Sequence, residues 1–197
     1  MNKIDKLIQS VKSHTPKMID VDFPDAGILV LVTRNQKPSI VLTRRAQHMN
    51  THKGQVAFPG GKFDDEDGTL MQTALRECHE EIGVHPQHVE IIGQLSQVVS
   101  LHGIRVTPFV GLIDEDVSFT PNLDELDSIF KLPTDFFDDA VPKRRDKMTY
   151  RDVALSVPSY DYQYEDETYE IWGLSAIVLV ELMNIAFDCN IVIFDEA

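Results

Sequence analysis

The chain contains 197 residues, of which 43% are hydrophobic and 25% charged, proportions typical of a globular domain rather than of a disordered or fibrous protein. Its 18 basic and 32 acidic residues give a net charge of −14. This balance argues against a general nucleic-acid-binding protein, which needs broad positive charge, but it is compatible with divalent cations bound by carboxylates.

The N-terminal residues predict a short helix. Four apolar residues recur at the spacing of one helical face, namely Ile4, Leu7, Ile8 and Val11. We assign residues 1–24 to an N-terminal helical extension and residues 25–197 to the main domain. Three roles stay open for the extension: packing on the domain, mediating a homodimer, or remaining mobile.

Further segments predict interleaved strands and helices. Strands are expected at residues 25–33, 39–43, 55–58, 89–99, 104–113 and 128–132. Helices are expected at residues 69–82, 134–139 and 171–188, whereas the polar, tyrosine-rich residues 143–170 predict strand and loop. We therefore expect an α/β fold in which helices cover a mixed sheet.

The clearest predicted helix covers residues 69–82. Thr69 and Gln72 match a capping box, and Gly83 follows where a helix C-terminus favours glycine. The apolar stripe of this helix predicts its buried face, which consists of Met71, Ala74, Leu75, Cys78 and Ile82.

Three glutamates occupy the opposite face of the same helix. Glu77, Glu80 and Glu81 are spaced i, i+3 and i+4, so their like charges destabilise the isolated helix. A cation should offset them; Arg76 supplies one charge, and a divalent metal would supply more. The alternative is a solvated acidic helix face.

Basic and acidic residues are segregated just before this helix. Residues 26–63 contain no Asp or Glu but six basic residues, and residues 64–67 are all acidic. A site for a metal-bound polyanion needs basic side chains near the phosphates and carboxylates near the metal, and this segment offers both. The alternative is a chance cluster of solvated charges. The basic residues are Arg34, Lys37, Arg44, Arg45, Lys53 and Lys62.

Residues 61–84 resemble the signature of the Nudix hydrolases, Gly-x5-Glu-x7-Arg-Glu-U-x-Glu-Glu-x-Gly-U, in which U is aliphatic. The part from Arg76 onward matches residue for residue, with Cys78 at the first U position. The first part departs, because Asp67 replaces the glutamate and Gly61 lies 15 residues before Arg76, one more than in the signature. The resemblance implies a Nudix-type α/β/α sandwich with a mixed β-sheet.

The resemblance also implies metal-dependent hydrolysis of a phosphoanhydride bond in a nucleoside diphosphate linked to another group. Glu77, Glu80 and Glu81, together with the carbonyl of Gly60, are the implied ligands of Mg²⁺ or Mn²⁺. In the same scheme Arg76 orients these carboxylates through charge-assisted hydrogen bonds. Glu125 is the candidate for a remote catalytic carboxylate, with a turn or helix-start acid as the alternative.

Residues 41–61 are similar to the motif upstream of the Nudix box in coenzyme A pyrophosphatases, Leu-Leu-Thr-x-Arg-Ser-x3-Arg-x3-Gly-x3-Phe-Pro-Gly-Gly. The chain departs from it at Val41, Ala46 and Asn50, the last of which replaces the second arginine. This similarity implies hydrolysis of coenzyme A or acyl-coenzyme A to 3′,5′-ADP and (acyl-)4′-phosphopantetheine. The candidates for binding the substrate phosphates are the motif arginine Arg45 and the neighbouring Arg44, Lys53 and Lys62.

Two other functions stay open at this point. One is a Nudix pyrophosphatase for ADP-ribose, NADH or a nucleotide sugar, and the other is a catalytically silent Nudix fold that binds a nucleotide. The presence of Glu77, Glu80 and Glu81 argues against the silent fold.

The remaining notable residues are expected to have structural roles. Cys78 is expected in the core, His79 at the surface and Asp67 in a loop or cap, whereas residues 143–147 predict a solvated basic loop. Cys78 and Cys189 form no CxxC pattern and no signal peptide is visible, so we expect a cytoplasmic protein without membrane partners.

Overall fold

The computed structural model describes residues 1–49, 53–150 and 153–193. The helices of this part of the chain are α1 (Lys3–Ser13), α2 (Leu70–Ile82), α3 (Phe136–Asp139) and α4 (Gly173–Phe187). The first strands are β1 (Asp25–Thr33), β2 (Ser39–Arg45), β3 (Val56–Ala57), β4 (Gly60–Lys62), β5 (Glu90–Gln94) and β6 (Val98–Val99). They are followed by β7 (Arg105–Ile113), β8 (Leu126–Pro133), β9 (Arg144–Tyr150), β10 (Val153–Tyr164) and β11 (Glu167–Ile171).

Strand β1 lies at the centre of a mixed sheet. It pairs in parallel with β7 over its whole length and antiparallel with β2 and β4. The order β3-β2-β1-β7-β5 forms the main path, from which β4, β6 and β8 branch. The mixed sheet expected from the sequence is confirmed.

The continuous apolar run of β1 is explained by burial on both faces of the sheet. Leu29 and Leu31 pack against the apolar stripe of α2. Ile28, Val30 and Val32 alternate with them and belong to a second core, which includes α1 and α4. This layering confirms the expected α/β/α sandwich.

One predicted strand is divided in the structure. The segment 89–99 forms β5 and β6, and between them the N–H of Leu95 donates to the carbonyl of Pro108 on β7 at 2.9 Å. Both halves still pair with β7. The segment 55–58 forms β3, and β4 begins after Pro59.

The basic residues 143–147 are not a solvated loop, so that prediction is wrong. Most of them belong to β9, which pairs with β10 in a second, three-stranded antiparallel sheet. Their charges are engaged locally, since Lys143 pairs with Asp161, and Arg144 pairs with Asp146 and Glu170.

Helix α1 packs on the domain, which is one of the three roles left open for the N-terminal extension. Ile4, Leu7 and Val11 are buried in the same core as α4. The division at residue 24, the homodimer and the cytoplasmic location stay predictions. In the part of the chain that the structure describes, no helix combines the length and the apolar character needed to cross a bilayer.

Truncation of Leu7 tests whether the extension and the domain fold as one unit. Leu7 is fully buried, so Leu7→Ala should lower the free energy of unfolding by about 2–5 kcal/mol in a single urea transition. Gln9→Ala, on the exposed face of α1, is the matched control and should change it by less than about 0.5 kcal/mol. Equal effects of the two variants would contradict the packing described here.

Candidate active site

Helix α2 is fixed at both ends and along one face. The Oγ1 of Thr69 accepts a hydrogen bond from the N–H of Gln72, and Gly83 ends the helix in the left-handed region at φ 74°. Cys78 is fully buried on the apolar stripe, where burial raises its thiol pKa to about 12. The predictions for these caps and for Cys78 in the core are confirmed. The fixed helix directs Glu77 and Glu81 toward β4.

Two glycines of β4 make room for these carboxylates. A Cβ on Gly61 would lie 2.3 Å from the Cδ of Glu77. Gly60 has a φ of 152°, and a Cβ there would lie 2.4 Å from the carbonyl oxygen of Gly27. The N–H of Gly60 donates to the Oε2 of Glu81 at 3.2 Å. The close approach of Glu77 therefore requires glycine at position 61, whereas the positive φ and the adjacent strand β1 require it at position 60.

Arg76 links the acidic side chains around α2. Its guanidinium donates to both carboxylate oxygens of Asp67, at 2.7 and 3.0 Å, and lies 2.9 Å from oxygens of Glu77 and Glu80. The side chain of Asp67 is 6% exposed, and the Arg76 guanidinium lowers its carboxyl pKa to about 2. Arg76 thus contacts Glu77 and Glu80, and its role in orienting them for catalysis stays a prediction.

Asp67 is the functional residue that the sequence analysis missed. It was expected only in a loop or a cap, and it does belong to a short capped 3-10 turn. Its larger contribution is the two-pronged pairing that fixes Arg76. The available signal was its position, since it stands where the signature has an acidic residue.

Burial dominates the electrostatics of the carboxylates nearest β4. It raises the pKa of Glu81, which is 6% exposed, to about 8, and it also raises the pKa of Glu77. The negative charge of Glu125 adds to both upward shifts. Glu80 is exposed and lies at the edge of the group. The structure therefore brings Glu77, Glu81 and Glu125 into one partly dehydrated region.

The donor chemistry of this region fits a divalent cation. Carboxylate oxygens are the preferred ligands of Mg²⁺ and Mn²⁺. A bound cation stabilises neighbouring carboxylates with raised pKa values, because it neutralises their negative charges. Among the described residues, no three His, Cys, Asp or Glu side chains are arranged as a complete metal site. In this conformation Arg76 pairs with both Glu77 and Glu80, so ligation by this set requires those side chains to turn.

A largely apolar cavity of about 540 Å³ has Arg45 in its lining. The next residue, Ala46, donates its N–H to the carbonyl of Glu125 at 2.8 Å, and Asn122 donates its N–H to the carbonyl of Glu81 at 2.9 Å. The positive charge of Arg45 lowers the pKa of Glu81. The Nε of Arg45 is buried and has no hydrogen-bond partner among the described residues. The apolar side chains of the lining are Val56, Ala57, Val99, Leu101, Met148, Trp172, Leu174 and Ile177.

The other predicted phosphate-binding residues lie elsewhere. Arg44 alternates with Arg45 along β2, pairs with Glu167 at 2.9 Å and stacks on Tyr169 with its Cζ 5.0 Å from the ring centroid. Lys53 is exposed on a turn and Lys62 is exposed on β4. Asn50, the departure from the upstream motif, lies outside the described residues.

The comparison with protein families assigns residues 23–153 to the NUDIX domain. The chain belongs to the Nudix family. A protein named as an uncharacterized Nudix hydrolase, NudL, from Enterobacter sp. (strain 638) is 37% identical over 160 residues, which are 80% of each chain. A NudL of Salmonella paratyphi B is 38% identical over 158 residues, again 80% of each chain.

A solved Nudix structure supports the fold. The crystal structure of a MutT/nudix family protein from Enterococcus faecalis matches with a TM-score of 0.51 at 15% identity, covering 94% of this chain and 69% of that one. The chain is a Nudix pyrophosphatase that hydrolyses a nucleoside diphosphate derivative, and the family generally uses divalent metal ions.

The Asp67–Arg76 pair should contribute stability that depends on pH. The Asp67 pKa of about 2 lies below its unfolded value of 3.8, so the contribution is complete above pH 3.8 and disappears as the pH falls through about 2. At pH 7, Asp67→Asn should lower the free energy of unfolding by about 1–2 kcal/mol in urea.

The exposed Asp65→Asn in the same turn is the matched control. The difference between wild type and Asp67→Asn should shrink below about pH 4, as the wild-type carboxyl begins to protonate. A difference that persists unchanged at pH 2.5 would refute the ion-pair explanation.

Proposed function

We propose that this Nudix pyrophosphatase hydrolyses coenzyme A or acyl-coenzyme A to 3′,5′-ADP and (acyl-)4′-phosphopantetheine. The observation that carries the proposal is the position of Arg45, which lines the cavity and whose neighbour Ala46 donates its N–H to the carbonyl of Glu125 at 2.8 Å. A substrate with a pyrophosphate attached to a long uncharged arm matches this arrangement. Its phosphates would meet Arg45 and the carboxylate-bound cation, and its arm would enter the apolar cavity.

The upstream motif supports the same substrate. Arg45 is its motif arginine, and the segment from Gly54 to Gly61 leads directly to the glycines that contact Glu77 and Glu81. Arg45 alone among the four predicted phosphate-binding residues lines the cavity. We therefore give it the main role, whereas the ion pairs of Arg44 favour a structural role.

The carboxylates supply the proposed metal site. Glu77, Glu80 and Glu81, with the Gly60 carbonyl, would hold Mg²⁺ or Mn²⁺, and Glu125 would assist as the remote carboxylate. The cation would neutralise the non-bridging phosphate oxygens and lower the pKa of a bound water. Arg76, anchored by Asp67, stays beside Glu77 and Glu80, whose side chains would turn from it to bind the cation. In the reaction, water forms a new P–O bond, the phosphoanhydride P–O bond breaks, and a nearby carboxylate accepts the proton of the water.

A substrate panel tests both the chemistry and the substrate. With Mg²⁺ or Mn²⁺, wild type should convert coenzyme A to 3′,5′-ADP and 4′-phosphopantetheine, identified by mass. Glu81→Gln should lower kcat by roughly 10²–10⁴-fold, because it removes a charged ligand. Glu90→Gln, an exposed glutamate on β5, is the matched control and should retain activity.

Cleavage of ADP-ribose or NADH with coenzyme A untouched would overturn the substrate proposal and leave the pyrophosphatase activity intact. Trp172 in the cavity lining offers a surface on which the base of such substrates could stack. Full activity of Glu81→Gln would overturn the assignment of that residue.

Adjacent arginines provide a second test. Arg45→Gln should raise KM for coenzyme A by roughly 10–100-fold, because it removes a charge-assisted hydrogen bond to phosphate. Arg44→Gln should instead lower the free energy of unfolding by up to about 1 kcal/mol with little change in KM, because its partners are Glu167, Asp127 and Tyr169. Steady-state kinetics and urea unfolding of both variants check this, and a larger KM effect for Arg44→Gln would reverse the assignment.

A further inference from the structure

One wall of the cavity is the tip of the hairpin formed by β6 and β7. Val99, Ser100, Leu101 and His102 contribute this wall. The tip is closed by its own backbone, since the N–H of Ser100 donates to the carbonyl of Ile104 at 2.9 Å. The tip is nevertheless far more exposed than the hairpin base, because Leu101 is 74% exposed whereas Gln97 is 9% exposed. The position of the wall therefore depends on what holds the base.

Residues 14–24, between α1 and β1, cross the base of this hairpin, and we call them the N-terminal strap. On one side, the strap binds Ser96 and Gln97. The N–H of Lys17 donates to the Oγ of Ser96 at 3.0 Å, and the N–H of Gln97 donates to the carbonyl of Lys17 at 2.9 Å. The N–H of Ile19 donates to the Oε1 of Gln97 at 2.8 Å. The Gln97 amide also donates to Thr107 on β7, so it joins the strap to both strands.

On the other side, the strap binds Arg105, the first residue of β7. The guanidinium of Arg105 donates to the carbonyls of Ile19 and Val21 at 3.2 and 3.1 Å. It also forms a two-pronged pair with Asp25 at 2.6 and 2.7 Å. Arg105 lies opposite Val99 in the hairpin. The strap therefore forms hydrogen bonds on both sides of the hairpin, next to the residues that form the cavity wall.

The start of the strap is anchored to the core helix α4. The Nε2 of His14 lies 3.1 Å from the Oε1 of Glu181, in a pair that is 18% and 17% exposed. The same carboxylate accepts the N–H of Ser96, at 3.1 and 3.2 Å to its two oxygens. Near its other end, the ring of Phe23 lies 4.0 Å from the position of a Cβ on Gly103, beside the tip. The hairpin is thus held from the helix layer as well as from the sheet.

We propose that the N-terminal strap is a specificity-determining element, which positions the β6–β7 wall of the cavity through Gln97 and Arg105 and thereby sets the affinity for the substrate's uncharged arm. The proposal rests on the proposed function, in which that arm occupies the cavity. A wall that is already in place lowers the entropy lost on binding, so loosening it weakens binding without altering the carboxylates. Gln97 and Arg105 are positioning residues, since neither lines the cavity.

The test compares Gln97→Ala and Arg105→Lys with Lys6→Ala. Lys6 pairs with Asp188 at 2.7 Å, so its variant removes an N-terminal contact away from the hairpin. Gln97→Ala and Arg105→Lys should raise KM for coenzyme A by roughly three- to tenfold while kcat stays within about twofold. Lys6→Ala should change neither constant. Arg105→Lys keeps a positive charge beside Asp25, which guards against a variant that simply fails to fold.

Trp172, the sole tryptophan of the chain, reports binding directly because it lines the cavity. In a Glu81→Gln background, fluorescence titration with coenzyme A should show the same three- to tenfold rise in Kd for the hairpin variants. Hydrogen exchange at residues 98–104 should accelerate in these variants, whereas exchange in α2 should not.

Faster exchange with an unchanged Kd and KM would make the strap a purely structural brace and overturn the proposal. A fall in kcat that matches the rise in KM, or unchanged exchange, would also overturn it. If wild type cleaves ADP-ribose and leaves coenzyme A untouched, the substrate assignment fails separately. The same comparison of KM and kcat with ADP-ribose then decides the role of the strap.

Discussion

The buried carboxylate of Glu81 is the constraint on which the site depends. It is 6% exposed, and two further carboxylates, Glu77 and Glu125, add negative charge around it. Such a group is costly to ionise in a low-dielectric environment unless other groups compensate it. The N–H of Gly60 and the charge of Arg45 both favour its ionised form. This compensation is partial, since the pKa of Glu81 is still raised to about 8, and a divalent cation would complete it.

The same constraint explains why α2 is so firmly fixed. One face of the helix is buried in the core through residues such as Cys78 and Ile82, and the other lies against the glycines of β4. A helix free to slide or rotate would move Glu77 out of the space that Gly61 provides. Arg76, which is paired with Asp67, contacts the more exposed carboxylates of Glu77 and Glu80. Packing thus fixes the backbone of the site before any ligand arrives, which is one part of electrostatic preorganisation, whereas the side chains of Glu77 and Glu80 would still turn to bind a cation.

Local patterns predicted what depends on neighbours in the sequence. The caps of α2, its apolar stripe and the shared face of Glu77, Glu80 and Glu81 all follow from helical spacing, and the structure agrees with them. The Asp67–Arg76 pair was missed because the spacing of residues in the sequence does not predict which arginine an acidic loop residue will contact. The different roles of Arg44 and Arg45 follow from strand alternation. The cavity was not predictable, because its lining comes from β2, the β6–β7 hairpin, β9 and α4, which only the folded chain brings together.

The net charge of −14 limits how the protein can select a polyanionic substrate. A broadly negative surface opposes long-range attraction of phosphates, so recognition has to depend on short-range contacts. The local positive charge that the cavity offers is that of Arg45, and most of the remaining lining is apolar. Such a site favours a substrate that joins its phosphates to an uncharged arm. Affinity then depends on how well the cavity walls fit the arm, which gives elements far from the carboxylates control over the choice of substrate.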